Sequence, residues 1–272
     1  MNLLFTLNRR YFDILRVCLH SVVRFETRGG YDVYILASDL NPDDFDMLAK
    51  EFPDVRFYPI DVDESRFSHF PESKLYPKQM YYRILAAKLL PERLDRILYL
   101  DPDLVALHSL DELYSLDFDG CWFVAATHTK KALTRVNQVR LGAEKYTPYI
   151  NSGVMLLNLA ELRENQSERE LAEYVDRYAK RLILPDQDII SALYGGRIKL
   201  IDYMRYNLSD RMLGIYNADP ANKKRGMRWV CRNTVIVHYC GKNKPWKPNY
   251  LGRLGVFYWR LEELYGRTES GK

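Results

Sequence analysis

Arg96-Ile97-Leu98-Tyr99-Leu100-Asp101-Pro102-Asp103 is an apolar run that ends in two carboxylates one residue apart. Successive side chains of a strand face opposite ways, so four consecutive apolar residues predict a strand covered on both faces. The chain before it has the same character. Strands are expected at 2–6, 32–37 and 55–59, and helices between them at 11–25, after residue 41, and at 79–90. Phe12, Leu15, Leu19, Val22 and Val23 keep helical spacing, and Asn41-Pro42-Asp43-Asp44 supplies a capping residue, a proline at the first position and acids in the first turn. Strands alternating with helices in this way indicate an α/β fold with a mostly parallel, doubly wound central sheet. Such sheets bind ligands beyond the carboxyl ends of their strands, where Asp101 and Asp103 fall.

The second half is less regular. Residues 149–159 form an apolar segment with a polar start, 166–180 a charged amphipathic helix, and 187–194 a short helix. A strand is expected at 234–238, a Gly- and Pro-containing loop at 241–255, and a last helix at 256–265. With no repeat and no low-complexity linker, the expected division is a catalytic domain over 1–248 and a small C-terminal helical extension over 249–272.

Bulk properties narrow the function classes. The 272 residues are 47% hydrophobic, enough for one large domain, and the net charge of +4 is too mild to mark a nucleic-acid binder. It favours an anionic substrate or an anionic membrane surface. The 21 tyrosines suit stacking on sugars or bases as well as packing. Cys18, Cys121, Cys231 and Cys240 form no CxxC pair and no zinc spacing, which suits a reducing compartment. No run reaches the roughly eighteen apolar residues of a membrane span, and the N-terminus has no signal pattern. The expected location is cytoplasmic, with at most weak peripheral contact at the inner membrane face through Lys242, Lys244, Lys247, Arg253, Phe257, Tyr258 and Trp259.

Asp101 and Asp103 can face one ion, and such oxygen ligands suit Mn²⁺ or Mg²⁺. A turn with helix-capping aspartates is the other reading of Asp-Pro-Asp. His238 ends a second apolar strand and is followed by Tyr239-Cys240-Gly241-Lys242-Asn243-Lys244. Gly241 allows close backbone approach, and Lys242 and Lys244 offer point charges to phosphate oxygens. Imidazole, two carboxylates and diphosphate oxygens make a sensible octahedral shell. Asp186-Gln187-Asp188 is a second acidic cluster at the start of a short helix, and Asn151-Ser152-Gly153 a polar turn before an apolar strand.

Taken together, Tyr82-Arg83, Tyr99-Leu100-Asp101-Pro102-Asp103, Tyr149-Ile150-Asn151-Ser152-Gly153-Val154, Asp186-Gln187-Asp188 and the stretch from His238 to Trp246 resemble glycosyltransferase family 8. This is the family of lipooligosaccharide galactosyltransferases and glycogenins. The stretches occur in the family's order over nearly the whole chain. The resemblance implies a GT-A fold and a retaining transfer of galactose or glucose from a UDP-sugar to a glycan, glycolipid or protein-linked acceptor, with Mn²⁺ (or Mg²⁺). It implies Asp101, Asp103 and His238 as metal ligands, and Gly241 and Lys244 as diphosphate contacts. Arg83, Asn151, Asp186 and Gln187 fall around the donor sugar, and Thr6, Asn8 and Tyr11 around uracil and ribose, with Tyr11 a stacking platform. There are departures too: Asn8 stands where galactosyltransferase members carry aspartate, Arg10 replaces a smaller polar residue, and His128 lies near an expected acceptor-side aspartate. Two other readings are a non-catalytic UDP-sugar-binding protein and a sugar-nucleotide nucleotidyltransferase. The second wants a Gly-rich loop after the first strand, and Thr6-Leu7-Asn8-Arg9-Arg10 has no glycine.

Overall fold

Leu3 and Phe5 of strand β1 (Asn2–Thr6) pack into one core layer, and Leu4 into the layer on the opposite face. The same division holds along the neighbouring strands Tyr31–Leu36 and Arg96–Leu100, which is why their sequences read as near-continuous apolar runs. The computed structural model describes residues 1–25, 27–72, 77–129 and 131–265, with the backbone alone for 131 and 132.

After β1 come α1 (Phe12–Val23), β2 (Tyr31–Leu36), α2 (Pro42–Glu51), β3 (Val55–Ile60), α3 (Ala86–Leu89) and β4 (Arg96–Leu100). The middle of the chain holds β5 (Leu104–Ala106), α4 (Asp111–Tyr114), β6 (Phe123–Ala126), α5 (Lys131–Leu141) and β7 (Val154–Asn158). Next are α6 (Leu159–Asn165), α7 (Glu168–Tyr178), α8 (Pro185–Tyr194), β8 (Ile198–Ile201) and α9 (Tyr203–Tyr206). The chain closes with α10 (Asp210–Ala218), α11 (Met227–Asn233), β9 (Ile236–His238) and α12 (Gly255–Tyr265).

The main sheet has the order β3-β2-β1-β4-β7-β6-β8. Its pairs are parallel except those of β7, which runs against both β4 and β6. From β1 the chain winds outward to β2 and β3, then returns to β4 on the other side of β1. That reversal opens a crevice at the carboxyl ends of β1 and β4, where Thr6 and Leu100 end their strands. A separate antiparallel pair, β5 and β9, aligns Leu104 with His238.

Several local expectations are corrected. Residues 79–90 are not one helix: a 3₁₀ turn over Lys78–Tyr81 is followed by the short α3. Tyr81, Tyr82, Ile84 and Leu85 are all buried, so the segment lacks the polar face of a surface helix. Tyr hydroxyls hold it in place, Tyr81 on the Pro71 carbonyl (2.5 Å) and Tyr82 on Glu64 (2.9 Å). The helix expected at 166–180 is α7, because the buried Gln166 amide bonds the Ile84 carbonyl (2.9 Å) and Ser167 caps the helix that follows. The helix expected from 187 starts at Pro185, a proline at its first turn. β9 is shorter than 234–238 and belongs to the small sheet.

Helix α12 packs through Tyr258 and Leu261, with Leu254, against Val17 of α1 and against Val105 and Val237 of the small sheet. Tyr258 and Lys244 are buried and so do not serve the interfacial contact expected of them. No helix among the described residues is long and apolar enough to cross a membrane.

Candidate metal and donor site

Asp101 and Asp103 lie on the short link between β4 and β5. The Asp101 amide donates to the Gly153 carbonyl (2.8 Å), and the Tyr239 amide to the Asp103 carbonyl (2.9 Å). These main-chain bonds and the β5–β9 register bring His238 against both acids. Its Nε2 is 3.1 Å from Asp103 Oδ1 and 3.6 Å from Asp101 Oδ2, and one ligand atom from each residue lies within 4.8 Å of the others. Gly153 is required by close approach: a Cβ there would sit 2.2 Å from His238 Cε1 and 2.6 Å from Asp101 Oδ2. His238 is 1% exposed, whereas the Asp101 side chain keeps 22%, so the cluster opens on the Asp101 side.

Cationic groups surround the acids. Arg83 Nη1 is 2.8 Å from Asp101 Oδ1 and 3.3 Å from Asp186 Oδ2, with its guanidinium 4.4 Å from the Tyr99 ring centre. Tyr99 donates its hydroxyl to Asp101 Oδ1 (2.6 Å) and accepts from Thr6 (3.1 Å). Lys244 bonds Asp103 Oδ2 and the Tyr239 carbonyl. Burial opposes charge on Asp101, but Arg83 and His238 outweigh it and hold the carboxyl below the usual range. Burial likewise opposes charge on Asp103, and Lys244 and His238 overcome it. The His238 imidazole is disfavoured by burial but pushed up to about 10 by Asp103 and Asp101. Asp186 differs: burial wins, and its carboxyl is raised. Two carboxylates and an imidazole converging on one point, open on one side, fit the ligand preferences of Mn²⁺ or Mg²⁺.

The remaining expected residues divide. Asn151 Nδ2 donates to Gln187 Oε1 (3.1 Å), and the Ser152 hydroxyl to Asp186 Oδ2 (2.7 Å), so the polar turn before β7 and the first turn of α8 face each other beside the acids. Asp188 faces away from them. It accepts from Arg140 through both oxygens, from the Tyr149 hydroxyl and from the Ile183 amide, which makes it a structural anchor. At the end of β1, Thr6 is buried and spends its hydroxyl on Tyr99, while Asn8 caps the turn at Arg9–Tyr11. Tyr11 meets Trp246 edge-on (6.3 Å, 87°). Gly241 has φ +85, a backbone state that favours glycine. His128 gives Nε2–H to the Asn207 carbonyl (2.6 Å), and burial pushes its pKa down to about 4, so it stands as a neutral group. Sequence reading quoted Tyr99 and Ser152 within motifs but gave them no role, and it missed Asn207, which lies in an irregular stretch with no spacing to the other polar residues and which only the fold brings to His238.

A model of glycosyl transferase family 8 matches residues 2–249. Over 237 residues the chain is 29% identical to a lipopolysaccharide 1,2-glucosyltransferase of Escherichia coli, covering 85% of this chain and 68% of the relative. It is 26% identical over 214 residues to a lipopolysaccharide 1,3-galactosyltransferase of Salmonella typhimurium, covering 74% and 59%. The fold is similar to that of the galactosyltransferase LgtC, solved with donor and acceptor sugar analogues: TM-score 0.82, 22% identity, 99% of this chain and 98% of that one.

Proposed function

The chain belongs to glycosyltransferase family 8, and from that premise we propose that Asp101, Asp103 and His238 hold Mn²⁺ or Mg²⁺ against the diphosphate of a UDP-hexose. The protein is a hexosyltransferase with a GT-A fold, using a UDP-sugar donor and a glycan acceptor. The hexose is galactose or glucose, the anomeric configuration is retained, and the acceptor is a cell-envelope glycan or glycolipid; the names of the lipopolysaccharide glucosyl- and galactosyltransferase relatives support this reading.

The observation that carries the proposal is the convergence of three ligands, 135 residues apart between Asp103 and His238, at the end of the central crevice. A bound divalent cation supplies neutralisation of the charge that grows on the departing diphosphate. Lys244 and the Gly241 amide add positive potential from the β9 side, most useful as that charge develops. Arg83, fixed between Asp101 and Asp186, would meet the donor sugar together with Asn151, Asp186 and Gln187, which lie around it. Tyr11 and Asn8 flank the end of β1 for the nucleoside. Gln187 is an amide and a poor nucleophile, which favours attack by the acceptor hydroxyl on the face the diphosphate leaves, with the diphosphate taking the proton.

UDP release from UDP-glucose and UDP-galactose, measured with and without Mn²⁺, tests this. Asp103→Asn should lower turnover by about a hundredfold or more. Undiminished turnover in that variant removes Asp103 from the metal shell.

A further inference from the structure

We propose that Asn207 is a positioning residue that sets His238 as a metal ligand and, through Asn151, sets the orientation of the Gln187 amide. The inference rests on the metal reading above. Asn207 is fully buried and has every polar group engaged. Its Oδ1 lies 2.9 Å from His238 Nδ1, and its Nδ2 donates to Asn151 Oδ1 (3.0 Å). Asn151 Nδ2 then donates to Gln187 Oε1 (3.1 Å). The main chain of Asn207 is pinned as well, its amide on the Tyr203 carbonyl (3.1 Å) and its carbonyl under His128 Nε2 (2.6 Å).

Direction in this chain is fixed by chemistry at one end. Nε2 is the ring nitrogen that faces Asp101 and Asp103, so the proton of a ligating imidazole stays on Nδ1 and needs an acceptor there. Asn207 Oδ1 is that acceptor, which turns its NH₂ toward Asn151. Asn151 Oδ1 also accepts from the Gly153 amide (3.2 Å), so its own NH₂ is turned to Gln187. Gln187 Oε1 is thereby occupied, and its NH₂ is turned to the Tyr149 hydroxyl. Each link uses the only orientation the previous link permits.

Full-length wild type, Asn207→Leu and Asn207→Asp are compared by Mn²⁺ titration, reading free Mn²⁺ by electron paramagnetic resonance, and by kcat and KM for UDP-sugar hydrolysis. Leucine removes both functions, and Mn²⁺ affinity should fall about 10- to 100-fold, as for loss of a partner that orients a ligating histidine. Aspartate keeps an acceptor for Nδ1–H but cannot donate to Asn151; Mn²⁺ binding should stay within about threefold of wild type while kcat drops about tenfold at little-changed KM. A residue that only fills space would not separate the two readouts. Should Asn207→Leu fail to fold, Asn207→Asp decides alone: retained Mn²⁺ binding with lowered kcat supports the proposal, and lost binding overturns it. Wild-type affinity in a folded Asn207→Leu overturns it while leaving the metal reading intact. Absence of Mn²⁺ binding in wild type overturns both.

Discussion

If His238 is a metal ligand as proposed, it is the residue at which protonation and metal binding compete most directly. Asp101 and Asp103 carry two negative charges, and three cationic groups, Arg83, Lys244 and the imidazolium, lie against them. Because the imidazole pKa is raised to about 10, its Nε2 holds a proton throughout the neutral range, and a cation has to displace it. The sign follows: Mn²⁺ affinity should increase with pH, by about tenfold per unit between pH 6.5 and 8.5 for one proton released. Titrations at three pH values in that window check this, and a flat profile would show that no proton leaves the site when the ion binds. Lys244 is also raised, burial being outweighed by Asp103, so it remains a cation.

Among the elements, the decisive one is the turn that leads into β7. It delivers Asn151, Ser152 and Gly153 between the end of β4 and the end of β9, with the Gly153 carbonyl receiving the Asp101 amide. The space beside Gly153 is filled by His238 and Asp101, so an added methyl must push one or the other. Gly153→Ala should weaken Mn²⁺ binding more than tenfold and cost about 1–3 kcal/mol of stability, the usual range for overpacking. Calorimetry with and without the ion checks both, and normal Mn²⁺ affinity in this variant would show that the site can open without loss. The loop after β9 is fastened separately: Asp210 Oδ1 accepts the Arg253 amide (2.8 Å) and Asn243 brackets Leu251 from both sides. Lys244 therefore sits on a tethered loop.

Across the whole molecule, the crevice is lined from distant parts of the chain: the ends of β1 and β4, the Arg83 turn, α8, and β9 with its loop. A ligand that bridges them binds the folded state alone. Mn²⁺ plus UDP at about a hundred times the dissociation constant adds about 2.7 kcal/mol, a rise in Tm of roughly 5–10 °C for a domain of this size. Thermal scans should show the rise for the pair and much less for UDP alone. Equal shifts with and without the ion would place the nucleotide away from the acids.

The early strands were legible because a strand buried on both faces leaves a near-continuous apolar signature, and β1, β2 and β4 carry it, whereas the edge strand β3 is only partly buried. The capped start of α2 was legible for a local reason as well, since Asn41 and Asp44 satisfy each other within one turn. Strands β5, β6 and β8 were not, being three or four residues long and stabilised by pairing rather than by pattern. Asp101 and Asp103 could be read together because they are neighbours in the chain. Their meeting with His238, the close approach of Gly153 and the amide chain through Asn207 depend on which strands pair and in what register. Side-chain chemistry is written residue by residue, whereas convergence is a property of distances that only the packed sheet creates.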